Sequence, residues 1–373
     1  MEAEGRGDLG TRHHGSHAVM PNPQDTLLAS VRDRLQIAVE LELATLPPYL
    51  YAMWSVRDRN SAAGMLVRGV LMEEMLHMVM ACNLLSAVGG TPTLGEGRRV
   101  PTYPGPLPAH SKTVNAFDVH LDRLSVEAVV GFMQIELPAA EDARPEADNW
   151  ETIGQFYDSI ARDLAQLDPS CFTGGHQVSS GSFAPGTLYT VQTPQDASRA
   201  MQEIVLQGEG HARSGLDDQG ELAHYYQFRN LYFAMGGRDH DGFERFDAAT
   251  FREALDGDKY RAFQDAEVHP VVRDPDPETY PAGAQVLDRG FNSAFSDMLD
   301  SLFEKVTDPA NFKTLWGGQA LCGMLELGPF AAALRQFEVP GGEGLAGPSF
   351  RYLPPAERMD RRARKRRLEE VSS

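Results

Sequence analysis

The 373-residue chain reads as an all-α protein: a four-helix bundle with long connecting loops and additional C-terminal helices. Three observations lead there. Apolar residues recur at spacings of three and four over several long stretches, the period of a helix with one buried face. In four of these stretches a glutamate stands on the apolar stripe itself. Gly and Pro concentrate between them as punctuation, and no repeat of solenoid period is present.

Composition bounds the remaining classes. With 42% hydrophobic and 23% charged residues the chain is an ordinary globular protein, long enough for one large domain or two closely packed ones. A net charge of -19 repels nucleic acid and anionic membranes, so neither is expected as a partner of the body. The longest apolar runs, near residues 76–85 and 320–334, are broken well short of the ~20 residues of a spanning helix, so no membrane partner is expected. The first twenty residues lack the apolar segment of a secretory signal, which leaves the cytoplasm as the expected compartment. Cys82, Cys171 and Cys322 are too few and scattered for a disulfide framework or a zinc cluster and read as core thiols.

Along the chain, residues 1–25 read as a disordered leader, with His13, His14 and His17 among Gly and Ser. Residues 26–237 form the bundle. Two long helices fill 26–88, with a turn at 58–62 and a stop at Gly89 and Gly90. A Pro- and Gly-rich loop follows over 91–115. Ser125 caps a third helix that ends before Pro138. Residues 149–167 are helical, and 168–193 are irregular with short strands around Tyr189. Further helices cover 196–212 and 221–234, the second stopped by Gly236 and Gly237. Residues 238–282, rich in Asp, Pro and aromatics without periodicity, read as an irregular connector or lid. Residues 283–354 add helices at 291–306 and 319–337 that pack on the bundle. Residues 355–373 carry Arg361, Arg362, Arg364, Lys365, Arg366 and Arg367 and read as a basic, solvated, disordered tail.

The glutamates on the apolar stripes carry the chemistry. In the first helix Leu28, Val31, Leu35 and Val39 lead to Glu42, while Glu40 falls on the opposite side with Asp33 and Gln36 and reads as solvated. In the second, Val67, Val70, Leu71, Met78 and Leu85 enclose Glu74 and His77, whose i,i+3 spacing aims a carboxylate and an imidazole at one point. In the third, Val129, Phe132 and Met133 lead to Glu136, and further on Met201 and Val205 lead to Glu209 between two glycines. An unpaired ionised carboxylate is prohibitively costly to bury, so a glutamate on a core stripe is paired, protonated or bound to a metal. Four of them point to a common cause, a two-metal centre inside a four-helix bundle. Oxygen and imidazole donors suit iron, or manganese, better than a thiolate-bound structural zinc. The second histidine ligand is His224, which opens its own helical stretch, or alternatively His211, which a regular helix would turn away from Glu209. Glu73 and Glu203 are placed to support a ligand or replace one.

These segments resemble ferritin-like proteins of the iminophenyl-pyruvate dimer synthase type, known from violacein and indolocarbazole pathways. The blocks are Glu-Leu-Ala-Thr-Leu-Pro-Pro-Tyr-Leu from Glu42, Glu-Glu-Met-Leu-His from Glu73, Ile-Glu-Leu-Pro from Ile135 and Gln-Gly-Glu-Gly from Gln207. Ala-His-Tyr-Tyr from Ala223 and Ala-Gly-Pro-Ser-Phe from Ala346 extend the resemblance over residues 27–354. Leu206 departs from it, standing where a second acidic residue is expected. The resemblance implies a ferritin-like bundle active in secondary metabolism, oxidising an amino-acid-derived small molecule, with oxidative coupling of imino acids as one such reaction. Two iron ions would use O2, and a reductase or an upstream amino-acid oxidase would be the protein partner if the substrate does not supply every electron. Homo-oligomers are compatible with this reading. The rival expectations are a ferroxidase or iron-binding protein, a redox-neutral two-metal enzyme and a metal-free biosynthetic enzyme.

Overall fold

The computed structural model describes residues 22–93, 100–110, 117–140, 142–178, 188–210, 215–237, 267–307, 320–341 and 344–372. The expected leader (up to residue 21), His211 and most of the expected lid (238–266) lie outside the described residues.

Helix α1, Pro23–Ser55, starts where the Asn22 side chain accepts from the Gln24 N–H and Pro23 supplies a first-turn residue that needs no donor. It pairs with α2, Ala62–Ala87, capped by Ser61, to form the central hairpin. Around them stand α3, Val126–Ile135, α4, Ile153–Leu164, α5, Pro194–Gly208, and α6, His224–Ala234. Contacts of α1 with α4, of α2 with α5 and α6, of α3 with α6 and of α4 with α5 close the bundle. The chain turns out of α2 at Gly89, whose φ of 72° lies in the left-handed region that glycine tolerates.

From Ala38 to Ser55 α1 is buried on every side, because it lies at the centre of the bundle. This overturns the expected solvated position of Glu40. The loop after α2 folds back over that face, where Gln36 Nε2 donates to Thr93 O at 2.8 Å and to Glu40 Oε1 at 3.2 Å, leaving Glu40 5% exposed. Pro47 and Pro48 sit inside the same helix. Pro48 lacks the N–H that would bond Ala44 O, and the Tyr103 hydroxyl donates to that carbonyl at 2.8 Å instead.

By length and composition α2 could cross a bilayer, but 89% of its most apolar window is buried inside the protein, the environment of a core helix. The expected strands near Tyr189 are not found among the described residues there; the short antiparallel pair is β1, Gly105–Pro106, with β2, Asp118–Val119, Gly105 facing Val119. Cys82 is buried, whereas Cys171 is only half-buried and not the core thiol expected.

Beyond the bundle, α7, Ala282–Thr307, and α8, Ala320–Leu334, pack on each other and reach α2 and α1 respectively. Helix α7 begins nine residues earlier than the expected 291. The strip before it is tied down by β-bridges, Val268 to Val56 and Val271 to Leu345. Trp54 stacks on Phe350 at 6.0 Å, and Phe291 meets Phe350 edge-on at 4.8 Å, joining the C-terminal helices to the end of α1. The expected disordered tail is instead helix α9, Arg361–Ser372, packed on α7 and α8. Arg364 is buried there, bonding Asp297 at 2.6 Å and Glu326 at 3.4 Å, so acidic partners on α7 and α8 convert part of the basic run into a docking face.

Candidate metal centre

Five of the six residues expected as ligands meet inside the bundle. Ligand atoms of Glu42, Glu74 and His77 lie within 4.8 Å of one another, and those of Glu74, Glu136 and His224 do the same. Glu74 belongs to both groups. All five side chains are buried. Each comes from a helix of the bundle: Glu42 from α1, Glu74 and His77 one turn apart on α2, Glu136 from the C-terminal end of α3, and His224 from the first turn of α6.

The histidines present the same nitrogen to the centre. His77 Nδ1 lies 3.3 Å from Glu74 Oε1 and 3.8 Å from Glu42 Oε2. His224 Nδ1 lies 3.0 Å from the same Glu74 oxygen and 3.6 Å from Glu136 Oε2. The outward nitrogens are engaged. His77 Nε2 is 2.7 Å from Gln207 Oε1, and the Gln207 amide nitrogen donates to Glu203 Oε1 at 3.2 Å, which fixes the amide with its oxygen toward the ring. His224 Nε2 is 2.6 Å from Glu73 Oε2. A proton on each Nε2 leaves both Nδ1 lone pairs facing the carboxylates, the arrangement in which outer partners orient imidazole ligands.

Hydroxyls hold the carboxylates. Thr45 donates to Glu74 Oε2 at 2.7 Å, Tyr49 to Glu136 Oε1 at 2.5 Å and Tyr157 to Glu42 Oε1. Phe132 and Phe228 pack against Tyr49, with ring centres 4.8 and 5.3 Å away, and set its direction. Among the described residues the ionic partners of Glu42, Glu74 and Glu136 are the two histidines, with no Lys or Arg.

Protons respond to this crowding. Burial and the neighbouring Glu74 push the Glu42 carboxyl up to about 8, and the same two causes raise Glu136. Burial opposes charge on His77, but Glu74 and Glu42 push it up to about 9. His224 is likewise raised, against its burial, by Glu136, Glu73 and Glu74. Glu74 alone is held well below the usual carboxylate range, burial notwithstanding, by the two imidazoles.

A cation pair fits this donor set. The Nδ1 of His224 is wholly buried and makes no hydrogen bond, although carboxylate oxygens stand 3.0 and 3.6 Å away. A buried nitrogen aimed between carboxylates without bonding them is placed for a cation. The adjoining cavity of about 30 Å³, lined also by Ile153, Ile204, Gly208 and Glu209, has room for a small occupant of at least the size of a water molecule. Gly208 keeps it open, since a Cβ there would come 3.3 Å from Glu136 Oε2.

Glu209, expected as a ligand, joins neither group. Helix α5 ends at Gly208, and the Glu209 carboxylate turns to two backbone donors, Ala139 N–H at 2.9 Å and Gly154 N–H at 2.8 Å. Gly154 is in the first turn of α4, where backbone N–H groups lack helical partners and attract an anion. Burial pushes this carboxyl up to about 7. Glu203 stays outside the centre and acts through Gln207, with Gln219 also donating to it at 3.0 Å. Glu73 bonds His224. Sequence reasoning missed Thr45, Tyr49, Tyr157 and Gln207. Thr45 and Tyr49 follow Glu42 by three and seven residues, the spacing of one helix face, and that periodicity could have found them.

A helical bundle whose interior holds two carboxylate and imidazole groups sharing one glutamate has the kind of donor set that can hold metal ions between helices. The chain is a member of the ferritin-like family, whose profile matches residues 35–233. Over 314 residues it is 24% identical to dichlorochromopyrrolate synthase of Lentzea aerocolonigenes, covering 70% of this chain and 28% of that protein. The chain thus spans little more than a quarter of that relative. A crystal structure of a ferritin-like protein from Caulobacter vibrioides shares the fold, with a TM-score of 0.56 and 23% identity over 87% of this chain and 98% of the other.

Proposed function

We propose that the protein is a non-haem di-iron oxidase or oxygenase acting on an amino-acid-derived small molecule in secondary metabolism, with oxidative coupling of imino acids as one such reaction. The observation that carries this reading is the sharing of Glu74 by two buried three-ligand groups. Glu42, Glu74 and His77 would hold one ion, and Glu74, Glu136 and His224 the other. The ions would supply the O2-dependent electron chemistry.

The chain's own residues do the rest. Tyr157, Tyr49 and Thr45 each donate to one oxygen of a glutamate, limiting how far it can swing. Gln207 and Glu73 hold the protons on the outer imidazole nitrogens. Leu41, Ile135, Ile153 and Ile204 line part of the cavity with hydrocarbon. The similarity to dichlorochromopyrrolate synthase supports biosynthetic rather than storage chemistry. A reductase, or an amino-acid oxidase that generates the imine, would be the protein partner.

The test is oxygen uptake by protein loaded anaerobically with Fe(II), with and without α-imino acids generated in situ. Uptake that depends on the imine, with an oxidised organic product, is the expected result. Iron oxidation with many ions retained per chain and no product would favour a ferroxidase. Turnover without O2 would place the chemistry in a redox-neutral class.

A further inference from the structure

The two halves of the cluster share Glu74, but their outer supports differ. Behind His224 stands a carboxylate, Glu73 Oε2, 2.6 Å from Nε2, with the Glu73 side chain 13% exposed. Behind His77 stands a neutral amide, Gln207 Oε1, at 2.7 Å. Beyond that amide stands Glu203, which accepts from the Gln207 amide nitrogen at 3.2 Å. A hydrogen bond to an ionised acceptor is roughly twice as strong as one to a neutral acceptor. A carboxylate partner also draws the Nε2 proton outward and makes Nδ1 a better donor to a cation. The chain therefore places a stronger nitrogen donor and one more nearby negative charge on the Glu136 side than on the Glu42 side.

We infer that the two metal positions are inequivalent, and that Glu73 makes the Glu74–Glu136–His224 position the tighter one, filled before the Glu42–Glu74–His77 position by a divalent first-row cation. Glu73 and Gln207 are then positioning residues, each acting through one histidine. This rests on the two-metal reading and extends it to an order of loading. The neutral Gln207 support leaves the second ion more weakly held, which makes that position the one that exchanges.

The test is a Mn(II) titration of the full chain, following the electron paramagnetic resonance signal of free Mn(II). The wild type is expected to bind two ions in resolvable steps. Glu73→Gln keeps an acceptor for the Nε2 proton and removes only the charge, and it should weaken the tight step about 10- to 100-fold, the usual effect of losing an outer partner, while leaving the weak step nearly unchanged. Gln207→Leu should weaken the weak step and spare the tight one. Nitrogen-15 chemical shifts of the metal-free protein give a second readout, since Glu73→Gln should move the His224 resonances and not those of His77. Two indistinguishable sites in the wild type, or equal weakening of both steps by Glu73→Gln, would overturn the inference while leaving the two-metal reading intact. Absence of any stoichiometric binding would overturn both.

Discussion

Replacing Glu74 by Gln keeps the volume of the side chain and removes the one charge common to both ligand groups. Its Oε1 stands 3.3 and 3.0 Å from the two Nδ1 atoms, and Thr45 donates to its Oε2 at 2.7 Å. Breaking a buried ion pair costs ~3–5 kcal/mol. Here the low end applies, because Glu42 at 3.8 Å from His77 and Glu136 at 3.6 Å from His224 remain to share protons with the imidazoles. At about 2 °C per kcal/mol for a large domain, the metal-free variant should melt ~6 °C below the wild type. The larger effect is on stoichiometry. Glu74→Gln should bind no iron after anaerobic reconstitution and desalting, whereas Glu42→Gln and Glu136→Gln should each keep one ion, since each residue belongs to a single group. Glu151→Ala, on the exposed surface, should keep both. Colorimetric iron analysis per chain decides it. Retention of one ion by Glu74→Gln, or loss of both by Glu42→Gln, would refute the shared-carboxylate argument.

Three further outcomes are expected. The metal-free protein should lose stability as pH rises from about 5 to 9, because Glu209 and Glu42 are raised from 4.5 to about 7 and about 8 and His77 from 6.5 to about 9, so the stabilisation each gives is complete below its unfolded value and gone above its folded one; a flat thermal-melting profile over that range would contradict these shifts. Gly154→Ala should lower stability by about 3 kcal/mol, since its Cβ would overlap the Glu209 carboxylate and displace it from a charge-assisted bond, and an unchanged denaturation midpoint would remove the Glu209 clamp from the account. Tyr157→Phe strips the donor from Glu42 and should weaken only one of two cobalt-binding steps, by about 10-fold or more in a visible-absorption titration; equal weakening of both would contradict the assignment of Tyr157 to one side.

What the sequence made legible was periodicity. Residues 3.6 apart share a face, so Glu42, Glu74, His77 and Glu136 could be placed on buried stripes without coordinates, and His224 was legible as the start of a new helix. Periodicity says nothing about what covers the opposite face. Glu40 was misjudged for that reason, since Thr93, in the loop after α2, closes over that face through Gln36. Glu209 was misjudged because a helix end leaves backbone donors unpaired: α4 offers Gly154 N–H, and a carboxylate near it goes there. The basic run at 361–367 read as solvated because its partners, Asp297 and Glu326, are more than thirty residues away in sequence. The same holds for Tyr157 and Gln207, whose bonds to Glu42 and His77 span 115 and 130 residues.

The most direct test is a crystal of the iron-loaded protein measured on both sides of the iron absorption edge. The account predicts two anomalous peaks, one between Glu42, Glu74 and His77 and one between Glu74, Glu136 and His224, each about 2.0–2.3 Å from its ligand atoms. Iron density elsewhere, or none at Glu74, would contradict it.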